Sequence, residues 1–286
     1  MRKVIIILCL SVLLFNQHLA HAGTFSVPIT FYPTTLTQGD PLMVTIDAKQ
    51  SSLSKVFFDG KAVSIFTYDG KTRAFIPISL TARAGTHSIL VKSIKGEGLT
   101  KDVVVNKRKK FEAPLGIPAK LGGDTVQSQK RLVSNLDKEN ASLIGLRTSN
   151  KVLWMKPFIF PVKDPIVTDG YGYNRKTGEY TIAHKGTDFR APTSTSVLAM
   201  NDGIVRLAHT YIIYGNTIVI DHGLGLQTFY MHLSKINVKE GQSIKRGDVI
   251  GLSGDTGYAE SPHLHTTVRL SDISIDPIVF MNFFKK

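Results

Sequence analysis

The sequence predicts a mainly β protein in two parts, an N-terminal immunoglobulin-like sandwich and a C-terminal antiparallel β-domain, joined by a linker with a short helix. Three observations carry this. Short runs of alternating apolar and polar residues, separated by turn signals, fill residues 26–106 and return after Phe158. A stretch rich in proline and glycine, APLGIPAKLGGD, lies between the two regions. One intervening segment carries leucines at helical spacing. At 286 residues the chain has room for two modest domains and a connection.

Residues 1–22 read as a signal peptide that is removed. Arg2 and Lys3 precede the apolar run VIIILCLSVLLF, and Ala20-His21-Ala22 supplies a small-residue cleavage pattern before Gly23. The apolar run is too short for a comfortable membrane span. Cys9, the only cysteine, lies inside it, so the mature chain has no thiol. That excludes disulfide scaffolds, cysteine-ligated zinc and thiol nucleophiles, and it fits an exported protein, most naturally one of the periplasm. Without Arg2 and Lys3 the formal charge of +13 falls to about +11. Such charge on an exported protein suits a polyanionic envelope surface. No helix-turn-helix, zinc finger or aromatic–basic RNA motif accompanies it, so nucleic acid is not the expected partner. Nothing in the sequence sets an oligomeric state.

Residues 23–106 make the sandwich. The runs LMVTI, KVFF, AVSIF, RAFIPI and HSILVKS recur about every ten residues, and Asp59-Gly60 and Asp69-Gly70 mark hairpins. Nothing here looks catalytic, and His87 is expected on a strand surface. The connection spans residues 107–153. It opens with the basic run Lys107–Lys110, expected to be a solvated interdomain face. Leu132, Leu136 and Leu143 then predict a short amphipathic helix between Gln127 and Arg147, its leucine stripe used for packing.

Residues 154–286 form the C-terminal β-domain, with glycines in nearly every gap and no long helix. Six of the nine histidines fall here. In SPHLHTT, His263 and His265 lie two apart on an expected strand and so share a face. Such a pair suits a metal site, an acid/base pair or a polar surface strand. In HKGTD, His184 and Asp188 share a face if the stretch is extended, and Gly186 permits close backbone approach. His232 sits in the alternating run YMHLS. Hydrolytic zinc takes three nitrogen or oxygen ligands and keeps one position open. His184, Asp188 and one of the strand histidines supply that set, leaving the other imidazole and His232 to handle protons at a metal-bound water.

With these residues in order, the sequence resembles the lysostaphin/LytM-like zinc metallopeptidases, the M23 family, which cleave peptide cross-links of bacterial peptidoglycan. The likeness runs from roughly Phe158 to Phe280. It is carried by YGYNR, HKGTDFRAP, NTIVIDHGLGLQTFYMHLSKINVKEGQSIKRGDVIGLSGDTG, SPHLH and IDPIVF, in the family's order and spacing. The resemblance implies a β peptidase domain with a zinc groove, His184, Asp188 and His265 as Zn2+ ligands, His232 and His263 as catalytic histidines, and peptidoglycan peptide stems and cross-links as substrate. It also implies that a preceding module and connection can cover the groove, which predicts slower turnover by the mature chain than by a segment starting near Leu153.

The chain departs from the family after HLH. Thr266 and Thr267 stand where an aromatic residue and often glutamate are usual, and Ser261 replaces a common glycine. These changes bear on substrate fit and rate more than on zinc binding. Two rivals come from other classes, a regulator of cell-wall amidases that has lost its ligands and a wall-binding protein that works by charge. All five site positions are present, which favours an enzyme. His222, His209, Asp169 and Asp221 read as structural or turn residues, although Asp169 and Asp221 could also orient a ligand imidazole. Ser253 in GLSGD lacks the strand–turn–helix setting of a serine nucleophile.

Overall fold

The structure is a computed structural model that describes residues 26–284. The expected signal peptide lies outside the described residues. The fold is mainly β. Nine strands open the chain: β1 (Ile29–Tyr32), β2 (Leu36–Thr37), β3 (Pro41–Ile46), β4 (Leu53–Phe58), β5 (Lys61–Val63), β6 (Ile65–Tyr68), β7 (Lys71–Pro77), β8 (Gly85–Ser93) and β9 (Gly98–Asn106). They form two sheets, ordered β1-β3-β7-β6 and β2-β9-β8-β4-β5. Alternate residues of both sheets, among them Val44, Ile46, Val56, Ile76, Ile89 and Val91, meet in one buried core. The Asp-Gly dipeptides turn β4 into β5 and β6 into β7 with both residues in the left-handed region, at φ 46° and 78° and at φ 52° and 69°.

His87 is a correction. The inward face of β8 is His87, Ile89, Val91 and Ser93, so the imidazole is buried. Its Nδ1 meets Asp59 Oδ2 at 2.6 Å, its Nε2 meets the Arg83 carbonyl at 2.7 Å, and the ring stacks on Phe58. The ring is held between a carboxylate and a backbone carbonyl.

The connection is more ordered than its composition suggests. Lys107, Lys109 and Lys110 are exposed, but Arg108 pairs with Asp40 at 2.6 Å and with Asp276 at 3.2 Å, and lies over the Tyr171 ring. It ties the N-terminal module to the C-terminal domain. Strand β10 (Glu112–Pro114) follows, and then helix α1 (Val126–Ser142), whose N-cap Thr125 accepts from the Ser128 amide. Leu132 is buried on α1, and Leu143, just past its end, is fully buried among Leu207, Val219, Phe229 and Met231.

The remaining elements are β11 (Val167–Asp169), β12 (Asn174–Thr177), β13 (Tyr180–Ala183), β14 (Thr187–Arg190), β15 (Ser196–Leu198), β16 (Gly203–Thr210), β17 (Asn216–Gly223), β18 (Leu226–Ile236), β19 (Ser243–Ile244), β20 (Val249–Ser253), β21 (His263–Leu270), β22 (Ile273–Ile275) and helix α2 (Pro277–Asn282). The main path is β11-β14-β21-β18-β17-β16-β19, with β20 joining β15 to β18 and β22 on β21. β12 and β13 form a hairpin against which β10 lies in parallel. The two parts of the molecule share one core. Trp154, 2% exposed, packs against Phe66, Tyr68 and Phe75 on one side and Phe158 and Phe284 on the other.

Candidate metal centre and groove

Neighbouring strands bring the predicted residues together. β14 and β21 run antiparallel with Asp188 directly opposite His265, and His263 opens β21 on the same face. His184 lies in the turn before β14, where its amide bonds to the Tyr173 carbonyl at 2.7 Å and its carbonyl accepts from Gly172. Gly186 follows because a Cβ there would collide with the His265 ring and the Thr266 carbonyl.

His232 enters by an irregularity. Between the pairs Ile218–Tyr230 and Asn216–Leu233, β18 has one residue more than β17, and His232 adopts φ 62°. This is a β-bulge at a position any side chain other than glycine adopts at a cost. Tyr230 and Leu233 both face the larger core, and Met231 and His232 between them both line the groove.

Three donor atoms converge. His184 Nε2 lies 3.0 Å from His265 Nδ1 and 3.2 Å from Asp188 Oδ1, and the last two are 2.8 Å apart. All three residues are buried. Each has its far atom tied down. His184 Nδ1 donates to the Gly170 carbonyl at 2.8 Å, His265 Nε2 donates to Thr267 Oγ1 at 3.0 Å, and Asp188 Oδ2 pairs with Arg175 at 2.5 Å. With the far atoms taken, two imidazole nitrogens and one carboxylate oxygen are left converging on one point, an arrangement that a cation stabilises. The set is two imidazole nitrogens and one carboxylate oxygen, with triangle edges close to the roughly 3.3 Å that tetrahedral ligands at about 2.1 Å require. The residues fit a divalent metal.

Electrostatics agree. Burial raises Asp188, but the charge and hydrogen bonds of His184 and His265 outweigh it and hold the carboxylate well below its ordinary range. Burial pushes His265 down to about 4 against the pull of Asp188, so its imidazole is neutral at neutral pH. Burial, then the charges of His263 and His265, push His232 down to about 3.

The other two imidazoles flank the triangle. His232 Nδ1 donates to the Thr256 carbonyl at 2.9 Å and His263 Nδ1 to the Ser261 carbonyl at 2.8 Å. Neither Nε2 makes a hydrogen bond among the described residues. The rings lie 4.9 Å apart, and His263 Nε2 is 3.9 Å from Asp188 Oδ1. A groove of about 290 Å³ runs from His184, His232 and His265 between Leu132 and Leu136 of α1 and Tyr180 of the β12–β13 hairpin.

Other histidines stand apart. His222 is buried away from the centre, bonded to the Asp202 carbonyl and Thr228, and His209 is exposed beside Tyr211. Asp221 holds the turns at Thr148, Ser149 and Gly223, and Ser253 bonds to the Pro192 carbonyl. Asp169 acts on the centre through Arg175, accepting from its Nε and from the same terminal nitrogen that meets Asp188. The sequence does not single out Arg175 or the wall supplied by α1, and it marks Thr267 only as a departure that bears on substrate fit and rate. Only the motif YGYNR pointed towards Arg175.

Residues 182–277 match the sequence profile of Peptidase family M23. The C-terminal domain is an M23 peptidase domain. Peptidoglycan DD-endopeptidase ShyA of Vibrio cholerae is 50% identical over 82 residues, 29% of this chain and 19% of that protein. Glycyl-glycine endopeptidase ALE-1 of Staphylococcus capitis is 40% identical over 123 residues, 39% of this chain and 33% of that one. The chain thus spans a fifth to a third of the length of these curated relatives. A solved Pseudomonas aeruginosa structure bearing the M23 peptidase name superposes with a TM-score of 0.57 at 26% identity, over 87% of this chain and 96% of that one. The M23 profile begins at residue 182, so α1 and Arg175 lie outside it.

Proposed function

We propose that this protein is an exported zinc endopeptidase that hydrolyses peptide cross-links of bacterial peptidoglycan during wall remodelling, held near its anionic substrate by its basic charge. The observation that carries the reading is the triangle of His184, Asp188 and His265, with every far atom occupied and the three near atoms converging. The names of the relatives supply the substrate class.

Bound Zn2+ would supply Lewis acidity at the scissile carbonyl and a water acidic enough to attack near neutral pH. The protein's own groups do the rest. His184, Asp188 and His265 would hold the ion, and Arg175 grips the outer oxygen of Asp188 so that the other faces the two imidazoles. Nε2 of His232 and Nε2 of His263 flank the centre, where one accepts the proton of the attacking water as its oxygen bonds to the carbonyl carbon. That proton is passed to the departing amine nitrogen as the C–N bond breaks, and the second imidazole stabilises charge on the tetrahedral carbon's oxygen. The wall of α1 and the β12–β13 hairpin hold the peptide extended across the centre.

The test is chromatography of fragments released from purified sacculi by the mature protein, with and without a zinc chelator. Chelator-sensitive loss of cross-linked dimers is expected, and the new ends name the bond, which differs between the two relatives' names. His265→Ala should lose metal and activity together, while His263→Ala should keep its metal and lose activity. Normal cleavage by the His263 variant would overturn the division of roles. Undiminished hydrolysis in chelator would overturn the metallopeptidase reading, and retention on sacculi without released fragments would favour a binding protein. N-terminal sequencing of periplasmic protein, expected to begin at Gly23, tests export.

A further inference from the structure

The family resemblance places Thr267 among changes that concern substrate, but its position is at the metal centre. β21 alternates, so His263, His265 and Thr267 share the groove face. Thr267 is 3% exposed. Its hydroxyl accepts from His265 Nε2 at 3.0 Å and donates to the Lys185 carbonyl at 3.1 Å. Lys185 adjoins His184, so this one group spans the two segments that carry the ligands.

We propose that the Thr267 hydroxyl is the positioning group of the metal centre, fixing the His265 tautomer and locking the β21 ligand to the His184–Asp188 segment. The inference rests on the metallopeptidase reading above. A hydroxyl is the smallest side-chain group that accepts and donates at once. A carboxylate at this site could accept from His265 but could not donate to Lys185. An apolar residue would leave both partners unmet. His265 would then be free to carry its proton on Nδ1, where Asp188 Oδ1 lies 2.8 Å away as a ready acceptor. The centre would hydrogen-bond to itself, and the ion would have to compete with that proton.

Thr266 provides an internal control. It points to the opposite face, is fully buried, and its hydroxyl has no partner. It adjoins His265 in sequence, yet its hydroxyl makes no hydrogen bond to His184, Asp188 or His265.

The measurement is Zn2+ affinity of the metal-free mature protein by competition with a chromophoric chelator, with metal-free melting curves to show that each variant folds. Thr267→Val should weaken Zn2+ binding ten- to a hundredfold, the usual effect of losing a ligand's outer partner. Thr267→Ala removes the same hydroxyl with less crowding and carries the same expectation if the valine variant does not fold. Thr267→Ser and Thr266→Val should stay within about threefold of the parent chain. Parent-like affinity in both hydroxyl-free variants, or a serine variant as weak as the valine one, would overturn the proposal. A parent chain that binds no Zn2+ would instead overturn the metallopeptidase reading.

Discussion

Two buried imidazoles, His222 and His265, are put to different uses by what lies around them. His265 has one nitrogen tied to Thr267 and the other facing two ligand atoms. His222 has both nitrogens satisfied inside the core, by the Asp202 carbonyl at 2.7 Å and Thr228 at 2.8 Å, with Phe158 edge-on to its ring. Burial pushes its pKa from 6.5 down to about 4. A base with a depressed folded pKa is fully stabilising above its unfolded value and loses that stability as pH falls towards the folded one. Between pH 7 and about pH 5 the linkage amounts to about 2 kcal/mol, at 1.36 kcal/mol per unit. Urea unfolding of metal-free protein at the two pH values should therefore show a drop that is about 2 kcal/mol smaller in His222→Gln. An identical drop in both would place the pH sensitivity elsewhere.

Helix α1 is the element that sequence reasoning undervalued. Its leucine stripe was expected to pack and it does, but its most consequential residue is charged. Glu139 is buried, and its carboxylate accepts from the amides of Ile212, Ile213 and Tyr214 at 2.9 to 3.1 Å. Arg269 adds a bond to the Leu143 carbonyl at the helix end. The helix is thus a fixed wall of the groove. Glu139→Ala would orphan three amides and should cost about 3 kcal/mol in urea unfolding, whereas Glu139→Gln keeps an acceptor and should cost clearly less. Equal stability of the alanine variant would mean that the loop finds other partners. The bulge in β18 is the second such element. Simple alternation would send His232 to the face of Tyr230, which is core. One inserted residue sends it to the groove instead.

At the scale of the whole molecule, the two parts are joined by aromatic packing and one cation. Trp154 sits between rings from both parts, and Arg108 bridges Asp40 of the module and Asp276, the N-cap of α2. Trp154→Ala should cost about 3–5 kcal/mol in equilibrium unfolding, as large aromatic deletions in cores do. A cost below about 1 kcal/mol would show that the parts are stabilised separately. The groove lining comes from the connection and the C-terminal domain, while the module packs at Trp154. A segment starting near Leu153 therefore loses a groove wall as well as any cover. Its turnover on sacculi should fall below that of the mature chain, the reverse of what latency predicts.

The sequence by itself determined what depends on short range. Alternation over a few residues set the mainly β character, leucine spacing set α1, and the two-residue step of HLH put His263 and His265 on one face. Residue chemistry limited the ligands to nitrogen and oxygen. Tertiary structure decided what depends on contacts between distant residues. It made Arg108 an interdomain pin, buried His87 against Asp59, gave Asp188 its Arg175, turned His232 at a bulge, and placed the Thr267 hydroxyl against a carbonyl 82 residues away. A local pattern records which face a side chain takes. It does not record which atom from elsewhere in the chain meets it there, and at this centre that partner fixes each donor atom.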